Sequence, residues 1–372
     1  MPVLSVIDMG KSPELMRRAH LVLAFLLQFY IQSSPPDEPT IIPAAISLPL
    51  LAVSKELEIP PVVTYSDTVL YNWNFRIEPD VEDAIPTLDN IRSQTTFTNT
   101  TDEEAFYLCS ARVELRGVEI LELIRLTMDE TFVGDDIAVR RITEYLGTIA
   151  GIIDDLKAIL LDVRKSCDPD VYYNQVRPWL RGEDAVRQES QKRKWIFEGI
   201  EDHPELTIPS ELSGPSAGQS SMIHVIDIFL GVDHETSGTN ASSFMTRMKI
   251  YMPRNHRALL DHLKANPRPL RDFVKHSGDA KLLDAYNKAV IALKEFRDAH
   301  MIIATLFILG PARRAAKLVA EQSKSGKLID SATMLDRFES RHKAPMKGTG
   351  GTDMVKFLKA TRTRTLETTI PH

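Results

Sequence analysis

The sequence predicts an all-α protein, a large helical domain preceded by a smaller N-terminal helical lobe. Three observations carry this expectation. Apolar residues recur at steps of three and four along most of the 372 residues, capping residues stand ahead of several such stretches, and period-two alternation is scarce. Ser12-Pro13-Glu14 reads as an N-cap, a proline at the first helical position and an acid in the first turn, opening a helix over 12–32. Its apolar stretch LVLAFLLQFYI (21–31) follows Arg17 and Arg18 and has the look of a signal-peptide core. It is too short for a membrane span and lies deep in the helix, so a core helix is expected.

SSPPDEP (33–39) breaks the pattern, and IIPAAISLPLLAVSKEL follows with prolines at 43 and 49. Pro60-Pro61 marks a turn before the irregular apolar segment VVTYSDTVLYNWNF. Residues 79–101 are polar and turn-rich, which divides the chain into a lobe of 1–97 and a large domain of 98–372. Thr101-Asp102-Glu103-Glu104 then opens a helix through AFYLCSARVELRGVEILELIRL. A second long helix is predicted over 135–166, with Ile142, Leu146, Ile149, Ile153, Leu156 and Leu160 on one face. A short helix over 168–182 is interrupted near Pro178, and the Gly/Ser/Pro segment 209–221 leads into MIHVIDIFLG. The longest periodic helix covers 281–309, and Gly310-Pro311 is expected to end it. Residues 311–352 form a charged connection that finishes in the glycine-rich KGTGGTD.

A 43% hydrophobic, 26% charged composition supports a substantial core. A net charge of −6 argues against a nucleic-acid partner, and the densest basic segment, RQESQKRK (187–194), is read as a solvated helix face. Cys109 and Cys167 form no CxxC or zinc pattern, which excludes a disulfide framework and fits a reducing compartment. A cytoplasmic monomer with no membrane partner is expected.

Chemistry concentrates in FRDAHMIIAT (296–305). Tyr286, Val290, Leu293, Phe296, His300, Ile303 and Phe307 share one helix face, and Arg297 stands a turn before His300. Spacing alone leaves two readings: a core histidine satisfied by a carbonyl, or the single axial ligand of a haem with a nearby cation for its propionates. Asp227, in MIHVIDIFLG, is a carboxylate in an apolar run; it either caps a helix end or partners a ligand or Arg297. A non-haem iron site built on His224 and Asp227 fits poorly, because no second histidine completes a triad. SAGQSS (216–221) and GTGGTD (348–353) precede helices, but neither is a Walker A loop or dinucleotide fingerprint; a flexible connector explains each alone. No nucleophile elbow is present, and Cys109 has no histidine partner.

Taken together and in order, LEIPPVVTYSDTVLYNWNF, FYLCSARVEL, GPSAGQSS, YMPRNHRALL, FRDAH and KGTGGTDMVKFLK resemble the indoleamine 2,3-dioxygenase family over nearly the whole chain, about residues 12–368. The resemblance implies a haem-dependent enzyme that inserts both atoms of O2 across the indole C2–C3 bond of L-tryptophan, giving N-formylkynurenine. It implies haem b, ferrous in the active form. His300 would be the proximal ligand, Arg297 the propionate partner and Asp227 part of their hydrogen-bond network. Tyr65, Phe106, Tyr107 and Ser110 would line the indole pocket, with Ser110 tuning hydrogen bonding without being essential. Arg177 would hold the substrate carboxylate beside Tyr172 and Tyr173, a role suited to a planar guanidinium. Ser216, Ala217 and Gly218 would lie over the haem edge and contact substrate, and Thr349 would sit on a closing loop.

Three departures from mammalian members stand out. The N-terminal lobe is expected to be reduced, tyrosines at 107, 172 and 173 replace the usual phenylalanines, and the 311–347 connection looks longer. A related dioxygenase acting on a tryptophan derivative, and a non-catalytic O2-binding haem protein, are the competing readings.

Overall fold

The structure, a computed structural model, describes residues 2–35, 38–81, 84–183, 193–233, 243–265, 270–315, 317, 348–349 and 354–371. It is mostly helical. In chain order the helices are α1 (Pro13–Ser33), α2 (Ala44–Leu57), α3 (Thr101–Val133), α4 (Asp136–Asp162) and the single turn α5 (Pro169–Val171). They continue with α6 (Ser221–Leu230), α7 (Phe244–Met248), α8 (Arg254–Ala265), α9 (Leu270–Ser277), α10 (Ala280–Ala304) and α11 (Met354–Glu367).

The predicted Ser12 cap forms, and two further caps stand at Thr100 and Asp135. The Ser12 hydroxyl accepts the Leu15 N–H at 3.3 Å, the Thr100 hydroxyl accepts that of Glu103 at 3.2 Å, and the Asp135 carboxylate takes both Ile137 and Ala138 at the start of α4. α1 buries Leu21, Ala24, Phe25, Leu27 and Ile31, so the 21–31 stretch is a core helix. Among the described residues no helix is long and apolar enough to cross a membrane.

α4 packs along both α3 and α10, and the three bury a shared apolar seam. Ile120 and Ile124 of α3 meet Ile142, Leu146, Ile149 and Ile153 of α4, and Tyr286, Val290 and Leu293 of α10 complete it. Each fully buried side chain of this kind contributes roughly 1.5–3 kcal/mol, which makes this seam the rigid floor for the site. A second cluster joins Leu21, Phe25 and Ile31 of α1 to Phe97, Tyr107, Tyr172, Tyr251 and Phe307, tying the first hundred residues to the rest.

One detail goes beyond the all-α expectation, and one expectation needs correction. Short strands occur: β1 (Thr40–Ile42) pairs in parallel with β4 (Trp195–Phe197), and β2 (Trp73–Phe75) pairs antiparallel with β3 (Ile91–Ser93). β3 therefore falls inside the polar 79–101 stretch. Gly310-Pro311 also does not end its helix. α10 passes into a π-helical turn, Thr305–Leu309, and residues 310–315 are α-helical again. The wider turn interrupts the regular ladder, so Pro311 falls near the start of a new helical run, where a missing N–H costs little. Residues 187–192 of the basic segment, 318–347 of the charged connection and 350–353 of GTGGTD lie outside the described residues.

A buried ion pair fixes α1 to the segment beneath it. His20 Nδ1 lies 2.8 Å from Asp67 Oδ1 and Nε2 lies 3.2 Å from the Pro60 carbonyl, so both ring nitrogens face acceptors and the doubly protonated imidazolium is favoured. Asp67 also accepts from the Thr64 N–H at 2.8 Å and the Thr64 hydroxyl at 2.7 Å. Burial opposes charge on His20, but the Asp67 carboxylate outweighs it and the pKa is raised above 6.5. A raised folded-state pKa contributes stability that is complete below 6.5 and is lost as pH climbs through the folded value. The unfolding midpoint should therefore fall as pH rises from 6.5, and His20→Gln should flatten that slope. Equal slopes for the two proteins would contradict the assignment.

Candidate functional site

Three π-helical turns occur among the described residues, and all three reach one cavity. They are Ser66–Leu70, Tyr172–Val176 and Thr305–Leu309. Such turns disturb the helical ladder and redirect side chains, which is why they gather at functional sites. Here they present Thr68 and Val69, Tyr172, and Phe307 with Ile308.

The cavity measures about 170 Å³. α3 contributes Phe106, Tyr107 and Ser110; Tyr65 comes from the edge of the first π turn; and α10 supplies His300, Ile303 and Ala304. Ser216, Ala217 and Gly218 form another wall, with Thr349, Phe244 and α11's Phe357 closing over them. Apart from His300, no described lining residue has a side chain that could take on a charge near neutral pH. The walls are flat and aromatic: Phe106 packs on Tyr172 with ring centroids 4.3 Å apart, and Tyr172 meets Phe307 edge-on at 5.7 Å.

His300 is half-buried, and its ring makes no hydrogen bond to the described residues. Burial, and then the Arg297 charge, lower its pKa to about 4, so the imidazole is neutral and keeps a lone pair for a metal. A core histidine satisfied by a carbonyl is not what stands here. Arg297 is not among the residues that line the cavity. Its Nη2 donates to both Asp227 oxygens, at 2.6 and 2.7 Å, and its Nη1 donates to the Thr365 hydroxyl. Thr365 in turn donates to the Thr361 carbonyl at 2.8 Å. The pair is buried, at 8% and 2% side-chain exposure, so Asp227 partners Arg297 rather than capping a helix. His224 is held elsewhere, 2.9 Å from the Gly218 carbonyl, and does not share a metal position with Asp227.

The loop before α6 is shaped by two close backbone approaches. A Cβ on Gly214 would overlap the Leu180 carbonyl, and one on Gly182 the Leu212 carbonyl. A Cβ on Gly218 would sit 2.7 Å from Phe244 Cε1, so a side chain there would push the loop or Phe244 aside. Thr349 donates to the Pro215 carbonyl at 2.6 Å, which seats the start of GTGGTD against this loop. These features fit a flat macrocycle: a neutral imidazole without a hydrogen bond to the described residues on one wall, a loop without bulk near Gly218, and apolar surroundings.

Of the anticipated residues, Tyr65, Phe106, Tyr107, Ser110, Tyr172, Ser216, Ala217, Gly218, His300 and Thr349 come together on this cavity. Asp227 and Arg297 form the buried pair behind it. Arg177 and Tyr173 are buried beside it, not on its wall, with the guanidinium 5.4 Å from the Tyr173 ring centroid. Sequence reasoning missed Phe244, Phe357 and two polar groups that brace the wall, Glu114 and Gln219. Glu114 stands one helical turn beyond Ser110 on α3, a spacing that could have drawn notice.

The model of one protein family, described as indoleamine 2,3-dioxygenase, matches residues 1–368. The chain belongs to the indoleamine 2,3-dioxygenase family. It is accordingly a haem-dependent dioxygenase, an oxidoreductase. Indoleamine 2,3-dioxygenase of Saccharomyces cerevisiae is 32% identical over 388 residues, covering 95% of this chain and 78% of the relative. Indoleamine 2,3-dioxygenase acdA of Aspergillus candidus is 32% identical, covering 100% and 85%. A protein named 6-hydroxytryptophan 2,3-dioxygenase, fscD of Fusarium equiseti, is 31% identical, covering 94% and 80%.

Proposed function

We propose that this indoleamine 2,3-dioxygenase family member acts on L-tryptophan with O2 and releases N-formylkynurenine, using ferrous haem b held by His300. The observation that carries this reading is the neutral His300 imidazole, which makes no hydrogen bond to the described residues, on the wall of an aromatic cavity whose described lining is uncharged. When bound, the haem supplies O2 activation. The chain's own residues bind, orient and exclude water. Phe106 and Tyr172 offer flat surfaces to an indole ring, and the Ser110 hydroxyl, which neighbours that of Tyr65, tunes hydrogen bonding near it. None of the described lining residues is a carboxylate that could serve as a strong base, which suits a ring-opening that needs none. Arg297, braced by Asp227 and Thr365, is the candidate partner for a haem propionate. Residues 1–97 are proposed as the lobe covering the distal face, since Tyr65, Thr68 and Val69 reach the cavity from it. Buried free thiols at Cys109 and Cys167 support a cytoplasmic setting, and we take the protein as a monomer.

Arg177 is the proposed holder of the substrate carboxylate, beside the cavity-lining Tyr172. Its replacement by alanine should lower kcat/KM for L-tryptophan by roughly 10–100-fold, the worth of a charge-assisted hydrogen bond, and should leave turnover of tryptamine, which has no carboxylate, nearly unchanged. Unaltered kinetics with L-tryptophan would remove Arg177 from the site.

A second reading, a hydroxylated tryptophan as substrate, has one observation in its favour. The buried Tyr107 hydroxyl sits near Glu103 without forming a hydrogen bond of normal geometry, so a polar group on an indole ring would find a partner there. Comparing kcat/KM for L-tryptophan and 6-hydroxytryptophan, in the wild type and in Tyr107→Phe, decides between the two substrates.

A further inference from the structure

One carboxylate oxygen holds two walls of the cavity together. Glu114 Oε1 accepts from the Tyr65 hydroxyl at 2.9 Å and from the Ser220 hydroxyl at 2.6 Å. Tyr65 belongs to the wall formed by the first π turn, whereas Ser220 ends the loop that carries Ser216, Ala217 and Gly218. A second bridge runs parallel to the first. Gln219 Oε1 accepts the Tyr65 backbone N–H at 2.8 Å, while Gln219 Nε2 donates to the Gly214 carbonyl at 2.9 Å. Ser220 is also the N-cap of α6, its hydroxyl accepting the Ile223 N–H at 3.4 Å.

We propose that Glu114 is a positioning residue for the indole pocket, clamping Tyr65 and the 216–220 loop to one another so that substrate meets a preformed wall. The proposal rests on the dioxygenase reading for the identity of the substrate, and on the hydrogen bonds alone for the clamp. Glu114 does not line the cavity, so it acts through Tyr65 and Ser220. Two hydrogen bonds on a single part-buried oxygen fix direction as well as distance, because neither hydroxyl can move without losing its acceptor. Burial raises the Glu114 pKa, and the Ser220 and Tyr65 hydrogen bonds offset only part of that rise. The benefit to binding is preorganisation: a wall that is already ordered loses less freedom when substrate arrives.

The test compares Glu114→Ala, Glu114→Gln, Ser220→Ala, Tyr65→Phe and the Glu114→Ala/Tyr65→Phe pair in the haem-loaded protein. Haem stoichiometry, unfolding midpoint, L-tryptophan affinity from the visible-band shift, and kcat and KM are read for each. Glu114→Ala should keep its haem, weaken L-tryptophan binding and raise KM by about tenfold, and lower kcat by less than about threefold, the split expected when only preorganisation is lost. Glu114→Gln, which keeps an acceptor oxygen, should recover most of the affinity. The double variant should bind no more weakly than Glu114→Ala alone, since both changes break one contact. Ser220→Ala, a smaller change, should show a weaker form of the same KM effect. Wild-type affinity in Glu114→Ala, strict additivity in the pair, or parallel loss of haem and kcat would overturn the clamp. If the wild type consumes no indole, hydrogen exchange over 64–70 and 214–220 still decides it: faster exchange in Glu114→Ala supports the clamp, and unchanged exchange refutes it.

Discussion

Replacing His300 with alanine should give a folded protein that no longer retains haem. The imidazole makes no hydrogen bond to the described residues, so its removal leaves no protein group unsatisfied, and the surrounding seam of α3, α4 and α10 stays intact. What disappears is the proposed single protein bond to iron. The variant should match the wild type in helical circular dichroism and lack the Soret band. Added imidazole should restore part of that band by occupying the space the side chain left. Full haem content and full activity in His300→Ala would remove this residue from the metal position.

The largest effect on folding is expected at Asp227. Its two oxygens take the Arg297 Nη2 group in a buried setting, with Thr365 completing the chain across α6, α10 and α11. Asp227→Ala would leave a guanidinium without its counter-ion, a loss of about 3–5 kcal/mol for a broken buried pair. Arg297 stands three residues from His300, so haem affinity should fall as well. Removing both charges together, as Asp227→Leu/Arg297→Leu, should cost less stability than Asp227→Ala alone, because no buried charge is then orphaned. Denaturant unfolding of the three proteins checks the order; an Asp227→Ala variant as stable as the wild type would contradict it.

The two kinds of signal in the chain differed in reach. Caps and apolar periodicity are local, so Ser12 and the acidic turn Asp102-Glu103-Glu104 marked true helix starts, and the α10 stripe placed His300 on the wall it occupies. The π turns were not legible, because one extra residue per turn barely changes a pattern of apolar steps; the same turn made Gly310-Pro311 look like a stop. β1 and β4 are three residues each and pair across a long separation in sequence, which leaves no alternation to detect. The partner of Asp227 remained open until geometry placed Arg297 against it. Glu114 and Gln219 went unseen for a related reason: spacing tells which face a side chain occupies, but not which distant hydroxyl it will meet. Ordered motifs compensated for part of this, since the resemblance named ten residues that now share one cavity.

The central claim is that His300 and its aromatic cavity hold a haem that opens the indole ring. Purified protein, supplied with haem if colourless, should show a Soret band. With reductant, O2 and L-tryptophan it should accumulate N-formylkynurenine, followed by its absorbance. Protein that cannot be loaded with haem would contradict the account, and so would haem-loaded protein that forms a stable ferrous–O2 complex and consumes no indole.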